Sequence, residues 1–152
     1  MKINVIAVGK IKEKFFTDAI SEYSKRLSKF CDFRVVEVAE ATNYKNLTEK
    51  SEIEGELLLG KAKGFIVSLD GRGKLLSSED LASAISENMV GGISEISFII
   101  GGSNGLSEKV RNKSNLIVSF GKITFPHQLF RVVLSEQIYR AFTIINGMPY
   151  HK

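Results

Sequence analysis

Ile96-Ser97-Phe98-Ile99-Ile100-Gly101-Gly102-Ser103-Asn104-Gly105 runs from an almost unbroken apolar stretch straight into glycines. A short run rich in β-branched and aromatic residues, with no regular polar alternation, is the mark of a strand covered on both faces, and glycines punctuate its end. Residues 3–8, 33–38, 65–69 and 116–120 have the same character, which makes five strands. Helical spacing fills the intervals. Phe16, Ala19, Ile20, Tyr23, Leu27 and Phe30 recur three or four apart. A second helix is predicted over residues 47–63, weakened by Gly55 and Gly60. A third begins at Ser77 or Ser78, where hydroxyls and the acidic pair Glu79-Asp80 suit a helix start, and stops at Gly91-Gly92. A short one follows over residues 106–112. Strands alternating with helices predict an α/β fold, a parallel sheet covered by helices on both faces.

The chain of 152 residues is 43% hydrophobic, enough for one core, and no repeat, linker or low-complexity tract divides it. A single domain over residues 1–152 is expected. The apolar runs are far too short to span a bilayer, and Met1-Lys2-Ile3-Asn4 lacks the layout of a signal peptide, so the cytoplasm is the expected location. Cys31 is the only cysteine, which rules out an internal disulfide, and with His127 and His151 as the only histidines the usual Cys/His metal spacings cannot be built. No metal is expected, and Cys31 reads as an inert, half-buried residue. The formal net charge of +4 favours an anionic partner without identifying one.

The last predicted helix, residues 127–145, carries Leu129, Phe130, Val132, Val133, Leu134, Ile138, Ala141, Phe142, Ile144 and Ile145. That is too much apolar surface for one narrow stripe, and it asks for two partners: the sheet, and a second copy of the helix across a twofold homodimer. Val133, Ile138, Phe142 and Ile145 are the expected interface residues.

In open α/β sheets ligands bind beyond the carboxyl ends of the strands. Three stretches follow such ends: Leu69-Asp70-Gly71-Arg72-Gly73, then residues 100–105, then Gly121-Lys122-Ile123-Thr124-Phe125-Pro126. Gly101-Gly102 could bring backbone amides against a cofactor, or could merely shape a tight turn. The spacing matches neither the dinucleotide fingerprint nor a phosphate loop, which argues against a nicotinamide oxidoreductase and a P-loop nucleotide enzyme.

Ile-Gly-Gly-x-x-Gly at residues 100–105, Thr-Phe-Pro-His at 124–127, Glu-Gln-x-Tyr-Arg-Ala at 136–141 and a terminal Pro-Tyr-His-Lys at 149–152 stand in one chain in that order. With the opening Ile3-Asn4-Val5-Ile6-Ala7-Val8-Gly9-Lys10 and Glu22-Tyr23, they make the sequence resemble the ribosomal large-subunit methyltransferase H family over nearly its whole length. The resemblance implies a SPOUT fold with a C-terminal trefoil knot, which no periodicity could reveal and which the rarity of knots opposes. It also implies a homodimer that uses S-adenosyl-L-methionine to methylate N3 of a pseudouridine in large-subunit rRNA of the assembled ribosome. Leu69, Gly102, Gly121, Lys122, Ile123, Thr124, Phe125 and Pro126 are the cofactor-binding residues it implies.

For the reaction itself, His151 is the candidate base, because imidazole titrates near neutrality, and Tyr150 a group to stack on the target base or donate to it. Arg131, Arg140 and Lys152 are the candidate RNA contacts, with one of the two arginines expected on phosphate and the other free to pair with Glu136. His127 reads as a helix-start residue near the cofactor. Residues 150–152 are expected to lie outside the core. The competing reading is a non-catalytic RNA-binding or ribosome-associated protein on the same scaffold, separated from the first by whether S-adenosylmethionine binds.

Overall fold

β1 (Lys2–Val8) sits near the middle of the sheet, and its apolar residues divide between two core clusters. Ile3, Val5 and Ala7 enter one core cluster while Ile6 and Val8 enter another. A strand buried on both sides reads as a continuous apolar run, which is why this segment is legible in sequence. The computed structural model describes residues 1–152, arranged as β1, α1 (Lys14–Leu27), β2 (Asp32–Val38), α2 (Leu47–Lys61), β3 (Phe65–Leu75), α3 (Ser78–Val90), β4 (Glu95–Ile100), α4 (Glu108–Lys113), β5 (Leu116–Ser119) and α5 (His127–Ile145). The five strands form one sheet in the order β2-β1-β4-β3-β5, with every pairing parallel.

Helices cover both faces, as expected. α1, α3 and α5 close the larger core around Phe98, Leu134, Ile138 and Phe142. On the opposite face α2 and α4 cover Ile6, Ile99, Leu58 and Val110. Gly55, which weakens α2 by propensity, is where α4 comes closest: a methyl group there would stand 2.5 Å from Ser107 Oγ. α3 starts with a complete capping box, Ser77 Oγ accepting from the Asp80 amide and Asp80 accepting from the Ser77 amide. No helix is long and apolar enough to cross a membrane.

Two expectations are revised. β3 does not end at Leu69: its register with β5 shifts between Leu69 and Lys74, and the strand then resumes with Lys74 and Leu75 opposite Val118 and Ser119. Residues 70–73 are therefore an irregularity inside a strand, where Gly73 lets the β3 backbone press on β5, with no room for a side chain against the Ile117 carbonyl. The excess apolar surface of α5 is also met largely within the chain. Ile138 and Phe142 are fully buried by the sheet and by α1 and α3, so they cannot form an interface. Val133 is the expected interface residue that faces a groove, shared with Leu75, Leu76, Leu81, Phe120 and Phe125.

Candidate active site at the carboxyl edge of the sheet

The irregularity within β3 and the carboxyl ends of β4 and β5 converge on a cleft of about 520 Å³ lined by Leu69, Gly102, Ser103, Phe120, Ile123 and Phe125, among others. That volume lies within the range of small-molecule and cofactor sites. A cleft of similar size, about 560 Å³, opens between α3 and the amino ends of β3 and β5, against Asp80 and Glu87. It lies at the wrong edge of a parallel sheet for the usual ligand position.

Each wall of the cleft has a local cause. At β3, Asp70 accepts from the Arg72 amide at 2.9 Å and from its guanidinium at 2.9 and 3.0 Å, which folds residues 70–72 into a closed loop. Hydrogen bonding from Arg72 holds the Asp70 carboxyl below the usual aspartate range, and Arg111 adds to the effect. After β4, Gly102 and Gly105 pair across a tight turn, with the Gly105 amide donating to the Gly102 carbonyl at 3.0 Å. Gly105 has φ +77°, a conformation that favours glycine. After β5, the Gly121 amide donates to Ser119 Oγ at 3.1 Å, and Gly121 itself has φ +109°. Phe120 and Phe125 both pack on Phe130 of α5, with centroids 5.2 and 5.8 Å away, so the loop between them is clamped at both ends.

Of the expected cofactor residues, Leu69, Gly102, Gly121, Lys122, Ile123, Thr124 and Phe125 all line this cleft. Pro126 stands just outside it as the N-cap of α5, with φ −55°. Gly102 serves both open readings at once, because it shapes the turn and faces the cleft. Its missing side chain, however, leaves room for protein and not for ligand: a methyl group there would stand 2.7 Å from Glu54 Oε1. Ile123 is 78% exposed, an apolar side chain at the rim with no cover from its own chain. His127 lines the cleft beside Phe130.

The tail forms a second, polar constellation. Tyr150 donates to Glu136 Oε1 at 3.0 Å and meets Tyr139 edge-on at 4.9 Å. Arg140 pairs with the same carboxylate oxygen at 2.6 Å and lies over the Tyr150 ring. Burial, then the Glu136 carboxylate, push the Tyr150 hydroxyl up to about 12. His151 is held at both nitrogens, by Arg140 at 3.1 Å and by Glu79 of α3 at 2.7 Å. The tail is thus half-buried, and Tyr150 packs against the main core, contrary to the expectation of a free end. Nothing in the sequence announces Glu79 as a partner, since 72 positions separate it from His151.

Arg131 requires a correction. Its side chain is 2% exposed, with Nη2 donating to the Val8 carbonyl at 2.6 Å and Nη1 to Glu37 at 3.0 Å, so it cannot be an RNA contact. Arg131 faces inward from α5, and the guanidinium satisfies the end of β1 instead of a phosphate. Glu37 also accepts from the Ile11 amide, and Gln128 accepts from the Lys12 amide, so the first turns of α5 are tied to the chain following β1. Arg140 is bound to Glu136 but partly exposed, and Lys152 is exposed. Cys31 is half-buried as expected, and burial pushes its thiol up to about 11.

The family model described as "Predicted SPOUT methyltransferase" matches residues 1–151. The chain is 50% identical, over the full length of both, to the ribosomal RNA large subunit methyltransferase H of Clostridium botulinum. In solved structures the same fold recurs at low identity. A probable methylase family protein from Haemophilus influenzae superposes with TM-score 0.55 at 10% identity, over 99% of this chain and 70% of that one. The tRNA (m1G37) methyltransferase of Aquifex aeolicus gives 0.53 at 16%, over 92% and 70%. The chain belongs to the SPOUT methyltransferases and, within them, to the ribosomal RNA large subunit methyltransferase H family.

Proposed function

We propose that residues 1–152 work as one cytoplasmic methyltransferase domain that binds S-adenosyl-L-methionine in the 520 Å³ cleft and methylates N3 of a pseudouridine in large-subunit rRNA within the ribosome. The observation that carries this reading is the convergence of Leu69, Gly102 and residues 121–125 on one cleft at the carboxyl edge of the sheet. Those are the positions that the family resemblance assigns to the cofactor, and the trefoil knot rests on the same membership.

The cleft fits the group. Leu69, Ile123 and Phe125 offer apolar contact to a flat adenine, and the glycine turns offer backbone amides and carbonyls to its polar edge. S-adenosylmethionine supplies a sulfonium-bound methyl that a nucleophile displaces directly, so the remaining task is alignment. Rigid placement of reactants can contribute about 7–11 kcal/mol, and the clamped loops are suited to provide it. Ile123, bare at the rim, closes over the bound nucleoside.

Val133 and Leu75, in the groove beside the cleft, form the contact surface of a twofold homodimer, in which the Tyr150-His151-Lys152 tail of one copy completes the site of the other. Tyr150, whose hydroxyl proton is held by Glu136, offers its ring for stacking on the target base, while Arg140 and Lys152 meet RNA phosphate.

Calorimetry with S-adenosylmethionine, followed by mass spectrometry of rRNA from a strain lacking the gene, tests the reading. Binding in the low micromolar range and loss of one methylpseudouridine are expected. An absence of cofactor binding would leave a non-catalytic RNA-binding protein as the better description.

A further inference from the structure

Behind the glycine turn of the cleft lies a buried carboxylate, one oxygen of which neither the fold nor the reaction uses. Glu54, on α2, is 2% exposed. Its Oε2 accepts from the Ala41 amide at 3.1 Å and lies 3.8 Å from Lys50 Nζ. Its Oε1 is buried without any hydrogen-bond partner, and it is this oxygen that comes within 2.7 Å of where a side chain on Gly102 would begin. A buried, unpaired carboxylate oxygen is costly and demands a reason.

The cation beside it reaches the other oxygen. Lys50, itself 5% exposed, is shared between Glu54 and Glu40, reaching Glu40 at 3.0 Å and Ser103 Oγ at 3.4 Å. Lys12 and His127 add attraction to Glu40, but none of these cations hydrogen-bonds to Glu54 Oε1. The other acid of the cleft, Asp70, is neutralised by Arg72 and approached by Arg111 at 4.0 Å. Gly102 lines the cleft and, having no side chain, lets Glu54 lie directly against its backbone.

We propose that Glu54 is a specificity-determining residue, whose carboxylate acts through the Gly102 wall to favour the cationic S-adenosylmethionine over its product S-adenosylhomocysteine. The inference rests on the cofactor reading above. The two ligands share adenosine and amino-acid parts and differ by one methyl group and one positive charge, so a field in the wall separates them where shape scarcely does. A cation in the cleft gives the orphaned oxygen the compensation that the free protein lacks, and the product, with its neutral sulfur, loses that attraction and leaves.

The test is calorimetric binding of both ligands to the full-length protein, read as the ratio of their Kd values. Glu54→Gln keeps the size of the side chain and an acceptor for the Ala41 amide, and it is expected to lower the preference for S-adenosylmethionine on the order of tenfold, the effect of one charge over roughly 10 Å near a protein surface. Lys50→Gln removes the compensating ammonium and is expected to raise the preference. Equal weakening of both ligands in Glu54→Gln, as a merely structural role would give, overturns the inference, as does an unchanged ratio. Wild-type protein that binds neither ligand would instead overturn the cofactor reading itself.

Discussion

Arg140 Nη1 stands 3.1 Å from His151 Nδ1, and because a guanidinium can only donate, that ring nitrogen accepts. The proton of the neutral ring then resides on Nε2, which points at Glu79 Oε1, 2.7 Å away. The one lone pair that a general base would use is therefore already engaged. His151 is better placed to hold the tail in position than to remove a proton from the substrate.

A pH profile separates the two roles. His151→Ala is expected to lower kcat for ribosomes about tenfold or more, with the ratio to wild type constant between roughly pH 7 and 9. A deficit that shrinks as the pH rises would restore His151 as the base.

Truncation should divide the tail at Tyr150. Removing His151 and Lys152 takes away exposed or part-exposed contacts and should shift Tm by no more than about 2 °C, while activity collapses. Tyr150→Ala also removes the edge-on contact with Tyr139 and the bond to Glu136, and a further loss of about 1–2 kcal/mol, or several degrees, is expected in calorimetric scans. Full ribosome methylation by the shorter protein would dismiss the composite site.

The sheet was legible because its central strands β1 and β4 are buried on both faces, and the site loops after β4 and β5 because they follow strand ends, with glycines at the turns. Pairings between distant side chains were not. Arg131 shows why: a cation on an apolar helix fits a phosphate contact or a buried carbonyl cap equally well in sequence, and only the position of Val8 decides between them. The continuation of β3 through its irregularity was hidden for a related reason, since Asp70-Gly71-Arg72-Gly73 has the composition of a turn and pairing with β5 overrides it. The division of the α5 surface between α1, α3 and an outer groove likewise depends on tertiary packing.

Arg131→Met should be a stability variant. It strips the Val8 carbonyl of its donor and frees Glu37, at an expected cost of about 1–3 kcal/mol in denaturant unfolding. At a temperature where the variant remains folded, its affinity for ribosomes should match wild type. A selective loss of RNA affinity with unchanged stability would return Arg131 to the substrate surface.

Asp70 supplies a pH signature. Its carboxyl is held below the ordinary range of about 4 by Arg72, so the stabilisation is fully present above that value and is lost as the pH falls through the lowered folded-state pKa. The Tm difference between wild type and Asp70→Asn should therefore be constant from neutrality to about pH 5 and narrow below pH 4. A difference that persists unchanged to pH 2 would mean that the Asp70–Arg72 pairing contributes nothing to the loop.

Gly102 gives the sharpest test of the cleft, since its position faces protein on one side and the proposed ligand on the other. Gly102→Ala places a methyl group 2.7 Å from Glu54 Oε1, a buried carboxylate that is also bonded to the Ala41 amide and cannot swing into solvent. The strain is relieved only by moving the turn toward the cleft, so S-adenosylmethionine affinity should fall about tenfold or more, a change that a 1.4 kcal/mol displacement would produce. The core is built from the five strands and the helices rather than from this turn, and far-ultraviolet circular dichroism should stay at wild-type values. Normal cofactor affinity in Gly102→Ala would show that the turn after β4 does not line the binding site.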